Sequence, residues 1–224
     1  MLKKILIVVA VLVAGFLVFV STRPDSYHVE RSTSIAAPAA VIFAQLDNFK
    51  AWPAWSPWEK RDPQMKKTFE GPPSGVGSSY SWQGNKDVGQ GKMTILVSEP
   101  PNHIRYQLEF IEPFVSTAAT GFTLASQGDK TNITWGMDGT NNFVSKIFGV
   151  FMNMDQMIGA DFESGLAGLK AVAEAEAAKR AAAEAQAAAS AATQAAKTAA
   201  DAQVTADAAA AVAAASKEIA KKKR

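Results

Sequence analysis

Three tryptophans lie within seven positions in the stretch NFKAWPAWSPWEK, where two prolines separate them. A tryptophan ring is costly to leave in water, and proline interrupts regular helix, so the segment is predicted to form at most two short helical turns. Trp52, followed by Pro53, is assigned to packing. Trp55 and Trp58 stand three positions apart and point the same way if one helical turn is kept. Two interpretations of this pair remain open: a plug that seals the core, or the rim of a cavity for an apolar ligand.

Further apolar side chains recur at strand or helix spacing later in the chain, and they are the other candidates for a cavity lining. Aromatic and methionine side chains in such patterns more often form plain core than a binding site, and the pattern alone leaves both open. The candidates are Trp82, Tyr106, Phe110, Phe122, Trp135 and Met152.

Asp155 is the polar candidate for the same cavity, because helical spacing from Phe151 and Ile158 carries it toward the sheet side of its helix. A buried carboxylate must be paired with a cation, hydrogen-bonded, raised in pKa or placed in a wet pocket. The alternative is that Asp155 lies at the edge of the apolar stripe and reaches solvent.

Residues of recognisable catalytic type are scarce. The chain contains no G-x-S-x-G, H-E-x-x-H or Walker sequence, and neither His28 nor His103 has an evident nucleophile beside it. The absence of cysteine excludes disulfides and thiolate ligands, and two histidines are too few for a histidine-rich metal cluster. A net charge of +2 gives no argument for nucleic acid. The sequence therefore identifies no catalytic residue and predicts no metal, no cofactor and no nucleic-acid partner, while an acid/base pair assembled inside the cavity stays an open alternative.

Composition divides the chain into three regions, residues 1–23, 24–174 and 175–224. The first contains sixteen consecutive apolar residues after Lys3 and Lys4. As a helix this run measures roughly 24 Å, somewhat short of a bilayer core of about 30 Å but within reach of a thin one. A cleaved signal peptide is the rival interpretation, yet FLVFVSTRP offers no good small-x-small site, which favours an uncleaved, single-pass transmembrane anchor.

The orientation of the anchor is predicted from its flanking charges. The two lysines precede the apolar run, so the positive-inside rule places the N-terminus in the cytoplasm and the following domain on the extracytoplasmic, periplasmic side of a bacterial envelope. Arg23 and Arg31 weaken this asymmetry.

The middle region combines strands with helices. A strand in YHVERSTSIAA precedes a helix that begins at Pro38, and six strand-like pieces separated by turn signals follow. One face of most strands is apolar, which is typical of an antiparallel sheet covered on a single side. A helix predicted after Asn142 covers this apolar face. Its apolar stripe contains Phe148, Phe151, Ile158, Phe162, Leu166 and Leu169. The predicted fold is α+β, a curved antiparallel sheet of about seven strands wrapped on a long C-terminal helix.

Four stretches of this region carry a specific resemblance: LDNFKAWPAWSPWEKRDP, GPPSGVGSSYSWQGNKDVGQGKMTI, SEPPNHIRYQLEF and MNMDQMIGADFESGLAGLK. They resemble the polyketide cyclase/dehydrase-like branch of the START-like (SRPBCC) superfamily over roughly residues 27–174. The resemblance implies the helix-grip fold, with a cavity between the sheet and the C-terminal helix for an apolar or amphipathic small molecule. It leaves the reaction open, because a shared fold does not define one chemistry.

The last region is rich in alanine, with 28 alanines among residues 171–220. Alanine is the best helix former, so a helix continuous with the gripping helix is predicted. With few large apolar residues it could self-associate as an alanine-faced pair, stay single, or be partly disordered.

These observations favour a membrane-anchored domain that binds an apolar or amphipathic small molecule, such as a lipid. The alternatives are a metal-free enzyme of the cyclase/dehydrase kind and an interaction module that acts through the alanine-rich tail. Convergent polar groups with perturbed pKa values would favour the enzyme, and a cavity too small for a ligand would favour the interaction module.

Overall fold

The computed structural model describes residues 1–151 and 153–222, and of residues 218, 220 and 222 only the backbone. Contacts divide the chain into two compact units, Met1–Ala177 and Ala178–Arg224. The helices are α1 (Leu2–Ser21), α2 (Ala39–Leu46), α3 (Phe143–Phe151) and α4 (Met154–Lys222), with short 3-10 helices at Phe49–Ala54 and Trp58–Lys60. The strands are β1 (Ser26–Ile35), β2 (Lys66–Glu70), β3 (Ser79–Gln83), β4 (Gln90–Glu99), β5 (His103–Glu112), β6 (Ser116–Gln127) and β7 (Lys130–Thr140).

All seven strands form one antiparallel sheet in the order β1-β7-β6-β5-β4-β3-β2. Each strand after β2 pairs with its predecessor in the chain, and β1 closes onto β7. Alternation puts apolar side chains on one face, and Ile95, Tyr106, Phe122 and Trp135 are buried there on β4 to β7. The other face carries polar and small side chains. The predicted helix-grip fold with a seven-stranded antiparallel sheet is confirmed.

Helix α4 covers the apolar face of the sheet with one narrow stripe. Phe162, Leu166, Leu169 and Ala173 recur at intervals of three or four residues and are all buried. Glycines lie on the same side of the helix and allow close approach. A Cβ added at Gly168 would come within 2.6 Å of the Trp55 backbone oxygen. The helix therefore packs on the tryptophan segment itself as well as on the sheet.

The covering helix does not begin where the sequence pattern predicts. The stripe expected from Phe148 to Leu169 is divided between α3 and α4, because Asn153 begins a new helix: its side chain accepts a hydrogen bond from the Gln156 backbone N–H at 3.1 Å. An asparagine cap of this kind marks a helix N-terminus. Phe148 and Phe151 are consequently exposed on α3 and do not cover the sheet.

Helix α1 is long and apolar enough to cross a membrane, judged by its length and composition. Most of its side chains have no protein covering them; Val20 is buried and Phe16 is half-buried. The helix contacts α3, where the rings of Phe16 and Phe151 lie 6.2 Å apart. The apolar N-terminal helix thus packs against α3.

The second unit is helical through Lys222, the last residue described. Its large apolar residues Val204, Val212 and Ile219 are exposed. Self-association through this alanine-rich segment stays a prediction.

Candidate functional site

The tryptophan segment folds as two 3-10 helical turns, Phe49–Ala54 and Trp58–Lys60. The indole N–H of Trp52 donates to the Leu46 carbonyl at 3.1 Å, and that of Trp55 donates to the Gln45 carbonyl at 3.3 Å. Both indoles are therefore tied to the end of α2, and the packing role predicted for Trp52 agrees with its burial.

Trp135 on β7 is the centre of the aromatic cluster beneath α4. Its ring stacks on Phe162 with centroids 4.0 Å apart and planes 6° from parallel. The rings of Trp55 and Trp58 meet it edge-on at 5.9 and 5.7 Å, and Phe122 lies at 4.7 Å. Trp55 and Trp58 thus point toward the same ring, as their spacing suggests. Trp55 is 1% exposed and Trp58 is half-buried, so the two are not equivalent.

The polar atoms within this cluster are paired. The indole N–H of Trp135 donates to the Thr120 hydroxyl at 3.0 Å, and that hydroxyl donates to the Gly136 carbonyl at 2.9 Å. The Tyr106 hydroxyl donates to the Leu46 carbonyl at 3.1 Å, and burial raises the pKa of this phenol well above its usual value. Such pairing is what buried polar groups require, and it holds this part of the inward face as a fixed core.

Replacing Thr120 by valine is expected to lower the free energy of unfolding by about 1–3 kcal/mol, because the Trp135 N–H loses its acceptor inside the core. Thr120→Ser keeps the hydroxyl and is the matched control, with a smaller loss. Urea unfolding of both variants measures the difference. Because Thr120→Val keeps the methyl group and removes only the hydroxyl, an unchanged free energy of unfolding in this variant would mean that the hydrogen bond to Trp135 contributes nothing to stability.

A second group of aromatic rings on the inward face is only half-buried. Trp82, Gly91 and Phe110 are register neighbours across β3, β4 and β5. The Trp82 ring lies over Gly91, where an added Cβ would meet it at 2.4 Å, and reaches Phe110 with centroids 6.3 Å apart. Its indole N–H donates to the Val88 carbonyl at 3.0 Å. Together with Trp58, these two rings leave apolar surface of the inward face accessible.

A largely buried acidic side chain, Glu59, lies beside strands β2 and β3. The Glu59 side chain, only 9% exposed, pairs with Lys67 and accepts from the Tyr80 hydroxyl at 3.4 Å. Burial and the nearby Glu59 carboxylate raise the pKa of Tyr80. Tyr80 is therefore protonated at neutral pH and acts as a hydrogen-bond donor. Because the carboxylate already has a cation and a donor, the cluster is complete without a ligand.

Asp155 lies at the edge of the stripe, paired with a cation. Its carboxylate accepts from two guanidinium nitrogens of Arg31 at 3.0 Å each, and Glu163 accepts from Arg31 Nε at 2.8 Å. The hydrogen bonds from Arg31 lower the pKa of the Asp155 carboxyl. Asp155 is also more than half exposed. The Arg31 pair links β1 to the first turns of α4.

The structure brings together most of the residues predicted to line the site. Trp55, Tyr106, Phe122 and Trp135 form the buried part, whereas Trp58, Trp82 and Phe110 form the half-buried part. Met152 lies outside the described residues. Their role as a cavity lining stays a prediction.

Sequence reasoning missed Arg31, Gly91 and the Glu59 cluster. For Arg31 a signal was present, since it shares one side of β1 with Tyr27 and Val29. For Gly91 the signal was a glycine inside a strand, which often marks close approach.

Two further features bear on alternative sites. An open groove of about 500 Å³ lies on the polar face of the sheet, lined by residues such as Leu96, Gln107 and Asp138. It is separated from the aromatic cluster by the thickness of the sheet, and we do not assign the predicted ligand to it. Among the described residues, no group of three or more histidine or acidic side chains is placed to hold a metal ion.

Fold and packing define a helix-grip domain whose inward face is rich in aromatic rings. The family model for polyketide cyclase / dehydrase and lipid transport matches residues 26–174. The chain belongs to this family, and the resemblance that its motifs suggested is confirmed. The domain is accordingly a helix-grip domain of a ligand-binding family.

Three solved structures with related folds are distant in sequence. The di-domain ARO/CYC StfQ from the steffimycin biosynthetic pathway has 12% identity and a TM-score of 0.51, with 69% of this chain and 53% of that chain covered. A Chromobacterium violaceum protein has 15% identity and a TM-score of 0.49, covering 68% and 99%. The Aha1 protein of Colwellia psychrerythraea has 16% identity and a TM-score of 0.47, covering 66% and 96%. At these identities the similarity concerns the fold alone. Comparison with curated proteins gives no match.

Proposed function

We propose that this protein is a membrane-anchored binder of an apolar or amphipathic small molecule, with a lipid as the leading candidate. The observation that carries the proposal is the change along the inward face from fully buried rings, such as Trp55 and Trp135, to half-buried rings at Trp58, Trp82 and Phe110. Concave sites for small molecules are lined mainly by such hydrophobic and aromatic side chains. The family, whose description includes lipid transport, supports the same class of ligand.

The anchor in this proposal is helix α1. Its twenty residues are long and apolar enough for a bilayer span, and its apolar side chains have almost no protein to cover them. In the proposal the domain lies on the extracytoplasmic side, because Lys3 and Lys4 precede the span.

Binding is favoured over catalysis because the acidic side chains near the aromatic rings are already paired with cations or hydrogen-bond donors. Near the half-buried rings, the Glu59 carboxylate is matched by Lys67 and Tyr80, and Asp155 is matched by Arg31 at the helix edge. A catalytic acid or base needs a pKa near the working pH and access to substrate. Instead, Arg31 lowers the pKa of Asp155, which makes this carboxylate a weaker base.

The proposal is tested by native mass spectrometry of the full-length protein, purified in mild detergent from membranes. We expect a co-purifying apolar molecule, and less of it in a Trp82→Ala variant, which removes half-buried ring surface without opening the buried cluster. Ser81→Ala, on the opposite face of β3, is the control. Exclusively ligand-free protein in every preparation, together with no mass shift after incubation with fatty acids or phospholipids, would contradict the proposal.

A further inference from the structure

A continuous apolar patch lies on the outside of the domain, next to α1. It is formed by α3 and by the turn between β5 and β6, and its members are Phe114, Val115, Phe143, Val144, Phe148 and Phe151. Phe151 is 76% exposed and Val115 is 80% exposed. Scattered exposed apolar residues are normal on a protein, but a contiguous patch of large ones marks a surface that binds something.

Ring contacts join the patch to the N-terminal helix. Phe114 of the β5–β6 turn and Phe148 of α3 have centroids 6.2 Å apart. The ring of Phe151, the last residue of α3, has its centroid 6.2 Å from that of Phe16 of α1. Ring contacts thus connect the turn to α3 and α3 to α1, and the exposed apolar side chains of α1 extend the apolar surface.

The position of Phe16 along α1 indicates how deep in a bilayer the patch would lie. Phe16 precedes the last residue of α1, Ser21, by five positions, which corresponds to about 7.5 Å along a helix axis. If α1 lies in a bilayer, Phe151 lies at the depth of Phe16, below the end of the span. Amphipathic helices that lie in the membrane interface bury their apolar side by about 5–10 Å.

The single charged residue of α3 is consistent with this placement. Lys146 is turned away from the patch and pairs with Asp25, in the linker between α1 and β1. Its side chain is only 9% exposed. Asn142 caps the start of the helix by accepting from the Ser145 N–H at 2.8 Å. The exposed side of α3 thus presents no charge that would have to be dehydrated on contact with lipid.

We propose that α3 and the turn at residues 113–115 enter the interface of the lipid bilayer that α1 spans, so that the domain contacts lipid through a surface of its own. This inference rests on the membrane anchor of the proposed function and adds a second contact with the same bilayer. Phe110, one of the half-buried rings, lies on β5 only four residues before Phe114. The contact therefore brings the accessible end of the inward aromatic face to the membrane.

The chain has no cysteine, so single cysteines can be introduced into the full-length protein and labelled with an environment-sensitive fluorophore. The test sites are Phe148→Cys on α3 and Phe114→Cys on the turn. Matched controls are Leu96→Cys and Val76→Cys, two apolar residues 50% and 60% exposed on other parts of the domain. Leu12→Cys reports on α1. All variants are reconstituted into phosphatidylcholine vesicles, and each is compared with the parent chain by near-ultraviolet circular dichroism to verify folding.

Quenching by nitroxide-labelled phospholipid is expected to be severalfold stronger at Phe148 and Phe114 than at Leu96 and Val76, whereas aqueous iodide should show the reverse order. Labels at the two test sites that respond like the controls would overturn the inference. Labels shielded from both quenchers would also overturn it, because a second copy of the chain or another protein segment would then cover the patch. If Leu12 is quenched by lipid and the test sites are not, only this inference fails. If Leu12 is not quenched by lipid, the anchor of the proposed function fails.

Discussion

Replacement of Trp55 by alanine is expected to lower the free energy of unfolding by about 3–5 kcal/mol, the range for truncation of a fully buried aromatic residue. Trp55 is 1% exposed, and its ring contacts Trp52, Phe122 and Trp135 at centroid distances of 4.8, 6.2 and 5.9 Å. Its indole N–H also holds the end of α2 through Gln45. Urea unfolding, followed by near-ultraviolet circular dichroism of the remaining aromatic rings, measures the loss.

Trp58→Ala is the matched comparison, because Trp58 meets the same Trp135 ring but is only half-buried. Its cost in stability should be distinctly smaller, and the response of the protein to a fluorescent fatty-acid probe should fall. This outcome would assign Trp55 to the core plug and Trp58 to the rim, so that each of the two interpretations of the tryptophan pair holds for one residue. An unchanged probe response together with a loss as large as that of Trp55→Ala would make both residues core.

A second large effect is expected where α4 crosses the tryptophan segment. Helix propensity alone predicts that replacing a glycine inside a helix stabilises it by up to about 1 kcal/mol. At Gly168 we expect the opposite sign, because an added Cβ would lie 2.6 Å from the Trp55 backbone oxygen. Gly168→Leu should therefore cost about 1–3 kcal/mol, as overpacking does, or more, since a backbone atom has little freedom to move.

Ala167→Leu is the control for this substitution, because Ala167 is the exposed neighbour on the same helix. A surface change of this kind should alter the free energy of unfolding by no more than about 0.5 kcal/mol. Thermal and urea unfolding of both variants give the comparison. If Gly168→Leu were as stable as Ala167→Leu, the inference that α4 packs closely on the tryptophan segment would be wrong.

Strand and helix patterns were enough to predict the fold. Alternation such as Ile104, Tyr106, Leu108 and Phe110 has a period of two, so one face of each strand was identifiable before its partner was known. The buried stripe from Phe162 to Leu169 was likewise present in the helical period. Both signals are local, which is why a single sequence contains them.

Features that depend on distant contacts were not predictable in the same way. The difference in burial between Trp55 and Trp58 arises from where α4 crosses the segment, and it is not encoded in their spacing. Asp155 was singled out, but its partner Arg31 lies 124 positions away and was not recognised. The division at Asn153 was missed because hydrophobic periodicity continues across it, and the asparagine that caps the start of α4 was not recognised. Because the helix divides there, α3 does not pack on the sheet, and its apolar side chains Phe148 and Phe151 are exposed.

The connection between α1 and β1 consists of residues 22–25, which extend over at most about 14 Å. It is also held in place, since the backbone oxygen of Asp25 accepts from the Asn141 N–H at 2.8 Å and the Pro24 carbonyl accepts from the Asn141 side chain at 3.2 Å. A membrane-anchored domain that transfers a ligand between two membranes requires a long, flexible linker between its anchor and the domain. If α1 spans a bilayer and the domain binds a lipid, as proposed, the domain would stay beside one leaflet, and the ligand would reach it by lateral diffusion in two dimensions.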